Sequence, residues 1–167
     1  IVEIYRKEGG TTDRIEYVWG RDLSGTIDGA GGVGGILYLK RNGTIYIPFY
    51  DAYGNVTGYW DETGAVVASY TYDAFGAILS ASGPLADAFN IRYSTKYYDA
   101  ESDLYYYGYR YYAPSLHRWL TRDPIAEKGG LNLYGFCANC GVLKFDAEGK
   151  NIYLYSGNDS DCIVNNL

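Results

Sequence analysis

Three stretches of this 167-residue sequence carry residue types capable of chemistry. The first, STKYYDAESDLYYYGYRYYAPSLHRWLTRDPI (Ser94 to Ile125), is dense in tyrosine and closes on Arg122-Asp123-Pro124. An aspartate there either does acid–base work or ends an Asp-Pro turn. The second is Cys137-x-x-Cys140. Such a pair is redox-active, forms half of a zinc site, or simply packs. Zinc needs further ligands, and only Cys162 and the distant His117 are on offer, so no metal or cofactor site is expected. The third is SGTIDGAGGVGGI (Ser24 to Ile36), glycine-rich like a phosphate loop. It lacks both a following GK[ST] and the GxGxxG spacing, which makes it a flexible or tightly turned connector.

The elements that must position these residues read as β-strands. Aromatics make up 17% of the chain, with 22 glycines, no methionine and one histidine, and this favours short strands joined by tight turns. A short unit recurs as YDAYGNV (Tyr50 to Val56), WDETGAV (Trp60 to Val66) and YDAFGAI (Tyr72 to Ile78). Asp-x-x-Gly suits a turn in which aspartate accepts nearby amides and glycine supplies positive φ. Serial hairpins follow, and units of this kind must stack on neighbours to bury a face. Three are too few to close a structure, and no initiator methionine is present, so a segment of a longer array is expected. A second repeat pairs residues 132–149 with 151–167 at an offset of 19, with Asp146 aligned to Asn165, as two copies of one strand-plus-turn element. Helix is scarce, with single short helices expected near Ser82–Asn90 and at Pro114.

Over Leu104 to Tyr112 a β period would line up Tyr105, Tyr107, Tyr109 and Tyr111 on one face, and Leu104, Tyr106, Gly108, Arg110 and Tyr112 on the other. Tyrosine, with an apolar body and a polar tip, suits a sheet whose faces are half wet; ordinary core packing is the alternative. A net charge of −6 and a pI near 4.7 argue against a nucleic-acid partner. No apolar run is long enough to span a membrane.

Taken together, WGRDLSGTIDGAGGVGG, the YDxxG units, and the run RYY, P, RWL, DPI, GG and NLY resemble the RHS/YD-repeat proteins, over about residues 16 to 150. The later part is similar to their RHS-repeat-associated core. The resemblance implies an all-β fold, with serial YD-repeat hairpins forming part of a spiral, shell-like sheet that ends in the core plug. The expected division is a hairpin strip over 1–80, a connector over 81–93, the core over 94–150, and a tail over 151–167.

It also implies a structural role. Such shells enclose or present a C-terminal toxin or cargo domain of the same polypeptide, are secreted or lie at the cell surface, and in many members cut themselves as aspartyl proteases. The family's site maps onto Asp123 and Asp146, with Arg110 as the supporting cation. Two facing carboxylates can share a proton, one activating water while the other protonates the leaving group. The cut would fall between Lys150 and Asn151. The cleavage element departs from the family's pattern: Ala147 stands for a proline, Lys150 for a leucine, and Gly141 for another proline. A lysine would sit badly in a pocket shaped for leucine. Self-cleavage and a core that does not cut are therefore both left open. The other alternative is an adhesion or fibre module in which sheets join other copies of the chain and nothing is enclosed.

Overall fold

The computed structural model describes residues 2–8, 11–141, 144–150 and 152–154. The fold is all-β, with no α-helix among the described residues. Seven strands form an antiparallel meander: β1 (Val2–Glu8), β2 (Thr11–Trp19), β3 (Ile36–Arg41), β4 (Thr44–Tyr50), β5 (Val56–Asp61), β6 (Val66–Tyr72) and β7 (Ile78–Ser82), each paired with the next.

The repeated unit explains the meander. In each copy the aspartate Oδ1 accepts the amides two and four residues on, at 2.8–3.0 Å: Tyr53 and Asn55 for Asp51, Thr63 and Ala65 for Asp61, Phe75 and Ala77 for Asp73. The glycine three residues after each aspartate donates to its carbonyl and holds positive φ, from +73° to +85°. The strand register shifts at the aromatic before each aspartate, so that Tyr50 faces Val56, Trp60 faces Val66 and Tyr72 faces Ile78. The unit is thus a hairpin loop with a bulge built into its first residue, and a bulge increases local twist.

One face of this sheet is covered by residues 83–93, which carry Ala86, Phe89 and Ile91 into the core with Ile15, Tyr17, Leu39, Val56, Tyr59 and Tyr70. Tyr59 stacks on Phe89 with ring centroids 4.1 Å apart. Buried tyrosine hydroxyls tie the layers together, Tyr59 donating to Ile91 O and Tyr70 to Ala86 O at 2.8 and 2.7 Å, while the half-buried Tyr72 donates within the sheet to Val56 O at 2.6 Å. Each buried carbonyl thereby gains a partner it needs away from water.

A second, four-stranded sheet has the order β11-β10-β9-β8, formed by β8 (Tyr97–Asp99), β9 (Leu104–Tyr106), β10 (Tyr111–Ala113) and β11 (Arg118–Trp119). A two-stranded ribbon joins β12 (Lys144–Asp146) to β13 (Ile152–Leu154).

Three expectations are corrected. The tyrosine ladder is not one strand with a continuous period. Gly108 (φ +100°) turns the chain, and Tyr107 N donates to Arg110 O at 3.0 Å. The hairpin resets the pattern, so Tyr105, Tyr107, Arg110 and Tyr112 are buried while Tyr106, Tyr109 and Tyr111 are exposed. The inner tyrosines are dry, not half wet: Tyr105 and Tyr112 donate to Gly76 O and Phe75 O. The two short helices do stand where expected, as single 3₁₀ turns at Ala86–Ala88 and Pro114–Leu116, the latter with proline at its start. The 19-residue repeat does not keep one conformation: Asn132–Tyr134 is a turn capped by the Asn132 side chain, whereas Ile152–Leu154 is a strand. Asn151 and the remainder of the second copy, Asn165 included, lie outside the described residues.

Candidate active site

Arg110 sits where the β9–β10 hairpin turns inward, and the aromatic core builds its socket. The guanidinium carbon lies 4.1 Å above the ring of Trp119, which is itself fully buried against Tyr107, Tyr112 and Phe136. Cation–π contact of this kind favours a desolvated cation.

Asp123 follows β11 on a loop. Its N–H donates to Leu133 O at 2.9 Å, its carbonyl accepts from Ala126 N at 3.0 Å, and its Oδ1 accepts from Ile125 N at 2.9 Å. That is the Asp-Pro turn expected of RDPI. The remaining oxygen, Oδ2, lies 3.0 Å from Arg110 Nη1 in an ion pair.

Asp146 ends β12 and is wholly buried. Its Oδ1 accepts the amides of Glu148, Gly149 and Lys150 at 3.2, 2.6 and 3.0 Å, so Asp146-Ala147-Glu148-Gly149 is another Asp-x-x-Gly turn. Its Oδ2 faces Arg110 Nη2 at 3.3 Å. Arg110 Nε donates to the carbonyl of Gly149 at 2.5 Å, and Tyr109 N donates to Glu148 O at 3.1 Å. One guanidinium therefore meets both carboxylates and the backbone just before Lys150. No hydrogen bond joins Asp123 to Asp146 among the described residues; the cation lies between them.

Burial pushes the Asp146 carboxyl up to about 6, against the lowering pull of Arg110 and the three amides. Burial likewise lowers Arg110, and the two aspartates oppose it. Lys96 is a third buried charge. It donates to Gly31 O at 2.7 Å, and burial lowers it to about 8 despite the attraction of Asp146.

The glycine-rich run supports this site, which its sequence did not reveal. Asp22 Oδ2 accepts the amides of Ala30 and Gly32 at 2.7 and 3.0 Å and winds the run into tight turns. Ala30 and Val33 pack on Phe145 and Ala147. A Cβ on Gly31 would meet Ala147 O at 2.5 Å. The run is the bed on which the Asp146 turn lies, and the only local sign of this was glycine where the backbones approach.

Lys150 lies against Tyr109 and Glu148. Its ammonium lies 3.1 Å over the Tyr109 ring and 3.9 Å from Glu148, half-buried. A cation–π contact of this kind attracts the ammonium to the ring face. The Asn151 side of the proposed cut lies outside the described residues.

Comparison with known proteins bears on the family of the chain. The family model for the teneurin YD-shell matches residues 31–142. The chain belongs to the YD-shell family of RHS/YD-repeat proteins. This YD-shell chain is 34% identical over 130 residues to the tRNA3(Ser)-specific nuclease WapA of Bacillus spizizenii, covering 74% of the chain and 6% of WapA. It is 39% identical over 92 residues to the toxin subunit YenC2 of Yersinia entomophaga, covering 53% of the chain and 9% of YenC2. Its fold matches the crystal structure of TcdB2-TccC3-Cdc42 with a TM-score of 0.68 and 28% identity, over 84% of the chain and 7% of the solved one. The YD-shell chain thus spans less than a tenth of each of these proteins.

Proposed function

We propose that this chain is the closing end of a β-shell in a polymorphic-toxin polypeptide, that the shell encloses a C-terminal cargo of the same chain, and that Arg110, Asp123 and Asp146 cut the chain after Lys150. The observation that carries the reading is the single buried guanidinium that meets Asp123, Asp146 and the Gly149 carbonyl. A structural turn alone has no use for Asp146 Oδ2 or for a buried arginine, because Oδ1 satisfies the turn by itself. A buried ion triad is weak evidence for stability, since desolvation offsets the attraction.

The chemistry divides between the two carboxyls. Asp123, ion-paired and partly open to solvent, takes the proton of a water that attacks the Lys150 carbonyl. Asp146 is the acid. Its Oδ1 is filled by three N–H donors and its Oδ2 contact is long, so Oδ2 carries the proton passed to the Asn151 nitrogen. A value of about 6 keeps a usable protonated fraction near neutrality. Arg110 anchors the Gly149 carbonyl and thereby the bond one residue on. The relatives support the toxin setting: one is named a nuclease, one a toxin subunit. Secretion or surface exposure follows from that setting.

Enclosure is tested on the complete polypeptide by limited proteolysis and size-exclusion chromatography. The cargo should co-elute with the shell after cleavage and resist protease until the shell is unfolded. A cargo fragment that elutes alone, or is digested as fast as the free domain, contradicts the container. Self-association through sheet edges would instead favour a fibre.

A further inference from the structure

Cys137 and Cys140 lie where the chain leaves Phe136, in the aromatic core, for β12. Cys140 N donates to Cys137 O at 3.0 Å. A turn closed in this way holds its end Cα atoms within about 7 Å, the range a disulfide can bridge. The turn is left-handed throughout: Cys137, Ala138 and Asn139 have φ of 48°, 50° and 58°. Left-handed backbone is unfavourable for cysteine and alanine, so the surroundings must impose it at Cys137 and Ala138. Asn139 N donates to Phe136 O at 2.8 Å and Lys144 N to Cys140 O at 3.1 Å. Gly141 presses on Ala74 O, where a Cβ would come within 2.6 Å. The backbone that carries the two cysteines is thus held in one tight turn by structure outside it.

Their environments differ in a useful way. Cys137 is wholly buried in the aromatic cluster, and burial pushes its thiol up. Cys140 is half-buried, and both are free. We propose that Cys137 and Cys140 form a redox-active dithiol that a small-molecule disulfide closes, with Cys140 as the attacking thiol and Cys137 as the resolving one. The Cys140 thiolate attacks one sulfur of the disulfide, forming a mixed disulfide and expelling one thiolate. Cys137 then gives its proton to the thiolate expelled in the first step and attacks Cys140 Sγ, expelling the second thiolate. Two protein thiols are oxidised and one disulfide is reduced to two thiols. The closed ring fixes the turn that leads into β12 and Asp146. This site stands independently of the proposed cleavage.

The test uses the chain carrying Cys162→Ser, so that only this pair remains. It is equilibrated in buffers of rising oxidised-to-reduced glutathione ratio, acid-quenched, alkylated in denaturant and weighed intact. Both alkyl groups should disappear together, with no glutathione adduct accumulating. Adding Cys137→Ser should trap a stable adduct on Cys140, and adding Cys140→Ser should leave Cys137 unmodified. The proposal is overturned if both thiols stay alkylatable at every ratio, or if the two-cysteine chain stops at the same adduct as Cys137→Ser.

Discussion

Arg110 and Asp146, 36 positions apart, meet in the core with Nη2 3.3 Å from Oδ2, while Arg110 Nε holds the Gly149 carbonyl at 2.5 Å. The arginine therefore grips the aspartate and the end of that aspartate's own turn. Asp146 divides its two oxygens between different duties: Oδ1 shapes the turn, and Oδ2 answers Arg110. A repeat aspartate such as Asp73 uses the same Oδ1 pattern without a buried cation opposite. The site is a YD turn carried into the interior and given a charge partner.

Asp146→Asn should separate these duties. Asparagine keeps an acceptor for the three amides and removes the charge, so the fold survives while any cleavage stops. Asp146→Ala removes the acceptor as well and leaves Arg110 without one of its partners. Its cost is expected to be about 3 kcal/mol, since the buried Arg110 keeps only Asp123 as a carboxylate partner and three amides lose their acceptor. Denaturant midpoints of the two variants check this: Asn near wild type, Ala well below it.

Asp146 also predicts a pH dependence of stability. Its folded value, about 6, exceeds the ordinary 3.8, so between these values the folded state binds more protons than the unfolded one. Its contribution is present below about pH 4 and lost as pH rises through 6, with about 3 kcal/mol at stake. Urea titrations from pH 4 to 7.5 should show wild type losing stability relative to Asp146→Asn across this window. Parallel curves would contradict the burial argument.

Lys96 works in the opposite range. Burial lowers it to about 8, so the unfolded state binds more protons between there and the ordinary 10.5. Stability should rise with pH across that interval in wild type, relative to Lys96→Met. Thermal melts of both proteins at pH 7.5, 8.5 and 9.5 measure the difference.

Gly31 and Gly25 make a matched pair in the glycine-rich run. Both hold positive φ, but a Cβ at Gly25 meets nothing within 4 Å, whereas at Gly31 it strikes the Ala147 backbone. Gly25→Ala should cost about 1 kcal/mol from backbone strain alone. Gly31→Ala should cost clearly more and lift the Asp146 turn from its bed. Amide exchange at Glu148, Gly149 and Lys150 reads this directly: faster in Gly31→Ala, unchanged in Gly25→Ala.

Tyr59→Phe tests the tyrosine ties between sheet and cover. It removes the bond to Ile91 O and leaves a buried carbonyl without that donor, at an expected cost of about 1–3 kcal/mol. Removal of the exposed Tyr106 hydroxyl should cost little, and equilibrium unfolding of both variants compares them.

The turns at Asp51, Asp61 and Asp73 were legible in the sequence because each is local: aspartate, glycine and the amides between them lie within five residues. The faces of the tyrosine ladder were not. A period of two holds only within a strand, and Gly108 ends the strand in mid-ladder. Resemblance to a family, rather than any spacing rule, singled out Arg110, Asp123 and Asp146, and the fold brings all three together. Gly31 and Lys96 escaped notice because their partners lie far along the chain, and nothing local distinguishes a bed for a distant turn from a connector. The contact of Lys150 was hidden for a related reason: the aromatic face it meets belongs to Tyr109, across the site.

The most direct measurement is the intact mass of the complete polypeptide containing this chain, followed over time from synthesis beside Asp123→Asn and Asp146→Asn. The account predicts an N-terminal fragment ending at Lys150 and a new N-terminus at Asn151 in wild type, with both variants uncut. A wild-type chain that stays whole, or a cut that persists in Asp146→Asn, would contradict it.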